Sequence, residues 1–495
     1  MSAGVIGSTG SALYAVALAG LVIGAYLALQ LRLLIWSAIV GGLIIAGTIQ
    51  LYLPALQQAQ WLLAPISLVL LGHVALVSIS RRDHVGERPI PAIIWWSLAF
   101  VLVTIVSNVW NNVDTDRLLV GMKGYFQVWG LLFAFVLIPW SHRTIDAVPR
   151  FLVILALVQL PFVLHQYLVL VPKRSGMGDG IIAIDIVAGT FGATFEGGGA
   201  NAMLAGFMVM VSVGLIAAAQ LRILRWSWTI VLTALLFVPL LINMAKVSIF
   251  YILAAFAVLF WRDLWRHPAR FFGGTFAMVF IAAILMAAFV MNAPDSSKVY
   301  DWRSLVQFTY DHNIAEDEIG GTMTRASSLR FWVEAHSPLA TDFTRVIIGH
   351  GVGFTRVPDE NNPTQLVATM LQDGVPSQID LRSKPGVTTV ATILWETGVI
   401  GLVCVLGLFL STYRAAGRLT TRFPEYPERV AALRAAQAGV IILAITLFHK
   451  NLFVFDVIYQ TLVVTICGYV GFWDRNALYP SAELVKDRSA LRPRA

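Results

Sequence analysis

The stretch TTVATILWETGVIGLVCVLGLFLS, residues 388 to 411, holds one charged residue, Glu396. It is long enough to cross about 30 Å of hydrocarbon as a helix that satisfies its own backbone polar groups. Comparable stretches cover 11 to 29, 34 to 53, 60 to 80, 92 to 110, 118 to 140, 150 to 171, 201 to 220, 226 to 245, 247 to 261, 272 to 292, 432 to 448 and 452 to 473. With 58% hydrophobic and 13% charged residues and a mean hydropathy of +0.75, the 495-residue chain lies far from the roughly 25% charged of soluble domains. The pattern predicts an all-α, polytopic transmembrane helix bundle of about 12 to 13 spans. Met1 to Gly10 carry no positive charge and no cleavage pattern follows, so the first segment is expected to be an uncleaved span.

The expected organisation is N-terminal spans in 1–180, central spans with a Gly-rich loop in 181–291, a long loop in 292–387, C-terminal spans in 388–473 and a tail in 474–495. Cytoplasmic loops retain Lys and Arg. With the N-terminus outside, 21 of the 35 basic residues fall on the cytoplasmic side, and the eight in the long loop sit among about twelve carboxylates. The long loop is therefore expected to be extracytoplasmic. The net charge of +7 then reflects topology and not nucleic-acid binding. Cys404 and Cys467 lie inside spans and imply no disulfide or thiolate metal site. There is no repeat, Rossmann fingerprint or P-loop.

Charge at membrane depth is costly and needs a snorkelling route or a polar cavity. Lys246 falls in the turn between two spans, where it reads as an interfacial anchor or as a cation aimed into a cavity. Lys173 and Arg174 precede the run GTFGATFEGGGAN (189–201), whose glycines permit close approach of a ligand or a helix; Glu196 lies within it. His449, Lys450, Asn451 and Asp456 line an outer vestibule or form a wet hairpin. His73, mid-span, reads as a neutral histidine bonded to a neighbouring helix.

In the long loop SSLRFWVEAH (327–336) has helical spacing, with Leu329, Trp332 and Val333 on one face. Arg325 and Arg330 are close enough to serve one polar site if the helix starts between them. IGHGVGF (348–354) then reads as a tight turn presenting the N–H groups of Gly349, Gly351 and Gly353.

The order of an Arg-x-Trp helix, a G-x-G-x-G-F turn and the span LWETGVIGL (394–402) resembles the O-antigen ligase and O-antigen polymerase superfamily of bacterial membrane glycosyltransferases. Gly189-Thr-Phe-Gly with Asn201, and Ala245-Lys-Val-Ser248, extend the likeness over roughly residues 185 to 405. The His-Asn pair that precedes the Glu-Thr-Gly span in the ligases is replaced by residues 386–390, GVTTV, which favours the polymerase branch. The resemblance implies a GT-C-like bundle in the inner membrane. It implies a glycan donor on a polyprenyl diphosphate, transferred to a hydroxyl of a second lipid-linked glycan, with polysaccharide export or chain-length proteins as further partners.

Such chemistry must stabilise a leaving diphosphate and relieve an acceptor hydroxyl of its proton. No Asp-rich metal-ligand spacing is present, so cations are the expected stabilisers, without metal or cofactor. Arg325, Arg330 and Lys246 are the first choices, with Lys173 and Arg174 behind them. His350, Glu196 and Glu396 are the candidates for the base. A flippase, or a noncatalytic subunit of a polysaccharide assembly, would share the spans and the basic edge, but not bond formation.

Overall fold

The computed structural model describes residues 30–80, 89–175, 183–195, 198–243, 245–266, parts of 268–287, 302–310, 314, 318–319, 322–336, 343–355, 387–454 and 456–478. The expected first span, most of 272–292, the tail beyond 478 and Glu196 lie outside them. Among the described residues nine helices are long and apolar enough to cross a membrane. In chain order the helices are α1 (Leu31–Tyr52), α2 (Pro54–Ser80), α3 (Ala92–Trp110), α4 (Thr115–Phe126), α5 (Trp129–Leu137), α6 (His142–Arg174), α7 (Asn201–Gln220), α8 (Trp226–Asn243), α9 (Ser248–Arg266), α10 (Trp302–Tyr310), α11 (Arg325–Ala335), α12 (Phe343–Ile348), α13 (Thr389–Arg422), α14 (Pro427–His449) and α15 (Val457–Leu478).

The helices lie at different depths in the bundle. Helix α15 is buried throughout from 457 to 477, polar Gln460, Asp474, Arg475 and Asn476 included, which makes it the central post. Helices α5, α13 and α14 and the π turn of α1 pack around it. Helices α2, α6 and α8 lie at the periphery, with Leu68, Leu76, Ile154 and Ile230 turned outward.

Three expectations about spans change. The segment 118 to 140 is not one straight helix, because α4 and α5 meet at a 47° bend. Gly130 sets that bend against Ser67: a side chain on Gly130 would run into the Ser67 carbonyl, and its N–H donates to Ser67 Oγ at 2.8 Å. Helix α13 continues to Arg422 instead of ending near 411. His73 bonds to its own helix, Nδ1 to the Val69 carbonyl at 2.9 Å, and not to a neighbour.

Inside α13, Gly398 has φ 67° and ψ −169°, which breaks the helix. That conformation is essentially confined to glycine. Helices α1 and α6 each contain a π turn, Gly41–Ile45 and Gln166–Leu170. Between them lies the buried loop 186–193. The Thr190 hydroxyl donates to the Leu43 carbonyl of the first π turn at 3.0 Å. Gln166, in the second, clamps Gly189 from both sides, N–H to Oε1 and carbonyl to Nε2, each at 2.7 Å. Gln159 holds Thr190, its Oε1 accepting from the Thr190 N–H and its Nε2 donating to the Thr190 hydroxyl oxygen, each at 2.7 Å. The glycines of this run serve close helix contact, since Gly47 of α1 abuts Thr190 and Gly192.

Candidate functional site

The ends of α3, α6, α8 and α14 and the starts of α7, α9, α13 and α15 gather at one end of the bundle, and α11 and α12 belong to the same end. Two polar constructions occupy it.

The first is a basic bowl. Arg174, at the end of α6, is only 3% exposed, while Lys173 beside it points outward. Asp185, in the short turn Ala183–Ile186, lies in the field of Lys450, Arg174 and Lys246. Asn201, at the start of α7, donates from Nδ2 to Asp185 Oδ1 at 3.3 Å, and its own carbonyl accepts from Asn243 Nδ2 at 3.0 Å. Lys246 follows in the turn between α8 and α9, ahead of Ser248, whose buried Oγ has no hydrogen-bond partner among the described residues. Helix α11 closes the bowl: Arg325 Nε donates to the His449 carbonyl at 2.5 Å, and the His449 ring feels both Arg325 and Lys450. Lys450 is fixed by its carbonyl, which accepts from Thr389 Oγ1 at 3.0 Å.

Burial pulls the Lys246 ammonium down to about 8, against the opposing pull of Asp185. Burial also raises Asp185, only partly offset by Lys450, Arg174, Lys246 and the Asn201 hydrogen bond. Asp456 accepts from the Tyr459 N–H at 2.7 Å and so caps α15.

The second construction is the glycine turn. The break at Gly398 takes the carbonyls of Trp395 and Glu396 out of the helix, and the turn supplies their donors: His350 N–H at 2.8 Å to Trp395 and Gly351 N–H at 3.0 Å to Glu396. Gly351 N–H also reaches Ser107 Oγ, Val352 N–H donates to Asn108 Oδ1 at 2.9 Å, and Gly349 N–H donates to the Arg345 carbonyl. Asn111 Nδ2 donates to the Gly349 carbonyl, while Arg117 donates to the carbonyls of His350 and Val352. Gly349, Gly351 and Gly353 all have positive φ, 74°, 87° and 76°. The sequence expectation that this turn offers its N–H groups to a substrate is therefore corrected: those of 349, 351 and 352 are committed to protein acceptors, and the glycines allow tight docking.

Glu396 is fully buried, and its Oε1 accepts from both the N–H and the hydroxyl of Thr355. His350 is buried to 6% and stacks on Phe354 with ring centroids 4.4 Å apart, beside Trp395 and His336. His336 Nδ1 lies 2.7 Å from the Trp332 carbonyl, and the two Nε2 atoms are 3.4 Å apart. With both rings neutral, His336 donates from Nδ1 and accepts at Nε2, so His350 donates from Nε2.

Helix α11 spans the two constructions, with Arg325 at its start and Trp332 and His336 near its end, about 15 Å along the axis. The helix begins at Arg325, capped by Thr324, not between the two arginines. Arg330 therefore lies about 140° round the axis and is exposed, away from the bowl side. Of the expected site residues, Arg174, Lys246 and Arg325 come together, and Lys173, Arg330, His350 and Glu396 do not join them. Asp185, Asn243 and the socket residues Ser107, Asn108, Asn111 and Arg117 were not foreseen. The signal for Asp185 was a single acid in the apolar run 181–188, soon after two cations. No family model and no curated protein matches this sequence, so the likeness to the ligase and polymerase superfamily rests on its sequence motifs alone.

Proposed function

We propose that this protein is a membrane glycosyltransferase that polymerises or transfers polyprenyl-diphosphate-linked oligosaccharides at the outer face of a bacterial cytoplasmic membrane. The observation that carries the reading is the convergence of Arg174, Lys246 and Lys450, from three separate segments, around one carboxylate at a bundle end, with Arg325 joined to the neighbouring His449. A diphosphate diester carries two negative charges and gains another as the sugar departs. Fixed cations favour that gain, which is the form of stabilisation that lowers a barrier. The net excess of cations in the bowl matches such a leaving group, and lipid-facing helices beside it suit a polyprenyl tail.

Transfer is expected to proceed without a divalent ion, because fixed cations are proposed to take its place at the diphosphate. Purified protein with a lipid-linked oligosaccharide should lengthen chains equally with and without EDTA. A requirement restored only by magnesium or manganese would overturn this part of the mechanism. Lipid movement without a new glycosidic bond would replace the transferase by a flippase.

The bowl should also be sensitive to alkali. Lys246 loses its proton near 8, whereas the donor diphosphate does not titrate there. Donor affinity should fall about tenfold between pH 7 and 9, following the protonated fraction. The profile of Lys246→Arg should be flat, because guanidinium stays charged. Equilibrium binding in nanodiscs measures both, and a flat wild-type profile would remove Lys246 from the diphosphate contact.

A further inference from the structure

We propose that Asp185 is the base that takes the proton of the acceptor hydroxyl, with Asn201 as the residue that positions it; this deepens the transferase reading and rests on it. Three carboxylate or imidazole groups were open to this role on sequence grounds. Glu396 is sealed and engaged by Thr355. His350 lies toward the far end of α11, with its Nε2 facing a second imidazole. Glu196 falls outside the described residues. Asp185 lies among three of the cations proposed for the diphosphate, Lys450, Arg174 and Lys246, so a diphosphate held by them would bring its anomeric carbon toward this carboxylate.

Its hydrogen bonding suits a working base. The one hydrogen bond it accepts among the described residues is the 3.3 Å contact from Asn201 Nδ2 to Oδ1, and the residue is partly exposed, beside the buried Arg174 and the half-buried Lys246. Asn201 is itself fixed at two points, its Oδ1 accepting from the Ala202 N–H at 2.8 Å and its carbonyl from Asn243. A base held by an orienting group, next to an anion site, is the arrangement that proton abstraction at the moment of attack requires.

In the step, the acceptor oxygen forms a bond to the anomeric carbon as the bond from that carbon to the phosphate oxygen breaks. The electron pair of the broken bond leaves with the polyprenyl diphosphate, which gains one negative charge held by Arg174, Lys246, Arg325 and Lys450. The hydroxyl proton passes to the Asp185 carboxylate and is released to water before the next turnover. Burial keeps this carboxyl above the ordinary range, so the transfer rate should fall as pH drops through that raised value. Arg174, Lys246, Lys450 and Asn201 face it, and Arg325 and His449 close the same bowl.

The test compares wild type, Asp185→Asn and Asn201→Ala in nanodiscs, with donor binding and single-turnover transfer measured on the same samples across pH 5 to 8. Asp185→Asn should slow transfer at least about 100-fold, bind donor as well as wild type or better, and lose the acid limb of the rate profile. Asn201→Ala should slow transfer about five- to tenfold and shift that limb, a result that stands even where Asp185→Asn does not fold. Transfer by Asp185→Asn within about fivefold of wild type, a parallel loss of binding and transfer, or an acid limb unmoved in Asn201→Ala would each overturn the assignment. Wild-type protein that binds donor but forms no glycosidic bond would remove the transferase reading itself. An active wild type with an active Asp185→Asn removes the base alone.

Discussion

Gly398→Ala should leave almost no folded protein. At φ 67° and ψ −169° an L-residue is strained by about 1 to 3 kcal/mol. The added methyl would also meet the carbonyl of Ile347 and the Ile348 N–H, at the last turn of α12. Neither neighbour is the end of a flexible side chain, so relief requires the glycine turn to lift from α13, at the expense of the bonds to Trp395 and Glu396. Overpacking adds about 1 to 3 kcal/mol, and the sum approaches the whole stability of many domains. Gly349→Ala should behave alike, since its methyl would lie 2.5 Å from the backbone of Glu396 and Thr397. Gly72→Ala is the control: nothing lies within 4 Å of that position, and alanine in a helix is the better former by up to about 1 kcal/mol. Monodisperse yield and melting temperature in detergent check all three. A Gly398→Ala variant that melts like wild type would mean that the break in α13 is not needed for docking.

Arg325→Ala should lower the transfer rate about 100-fold and Arg325→Lys about tenfold, with unchanged membrane abundance. Loss of a charge-assisted contact of about 1.5 to 3 kcal/mol corresponds to that range, and lysine keeps the charge but not the planar fork. Arg330→Ala, on the outward side of the same helix, should transfer within about threefold of wild type. Chain growth measured beside protein level separates the cases. Equal losses at the two positions would return Arg330 to the site and discredit the bowl as drawn.

The spans could be read because length and apolar content are local properties: each helix carries its own evidence. The break at Gly398 and the bend between α4 and α5 could not, since glycine in a span looks the same whether it serves packing or positive φ. The three cations Arg174, Lys246 and Arg325 were legible because charge next to a span is conspicuous. Their separation from Arg330 was not, as it depends on where α11 starts, set by the Thr324 cap. The socket of Ser107, Asn108, Asn111 and Arg117 escaped notice for a different reason. Small polar residues at a helix end are ordinary there, and their partners lie more than two hundred positions away.

That separation bears on biogenesis. Ser107 bonds to the Glu396 carbonyl across 289 residues, a length that a ribosome needs roughly 15 to 60 s to add. Throughout that interval the N-terminal half resides in the bilayer with its polar socket open, its hydroxyl, amide and guanidinium groups served by water at the membrane edge. The glycine turn and α13 arrive as the plug. A chain stopped before α13 would expose that socket and the apolar flank of α3 together. The docking of α13 thus joins the two ends of the chain only after most of it has been made.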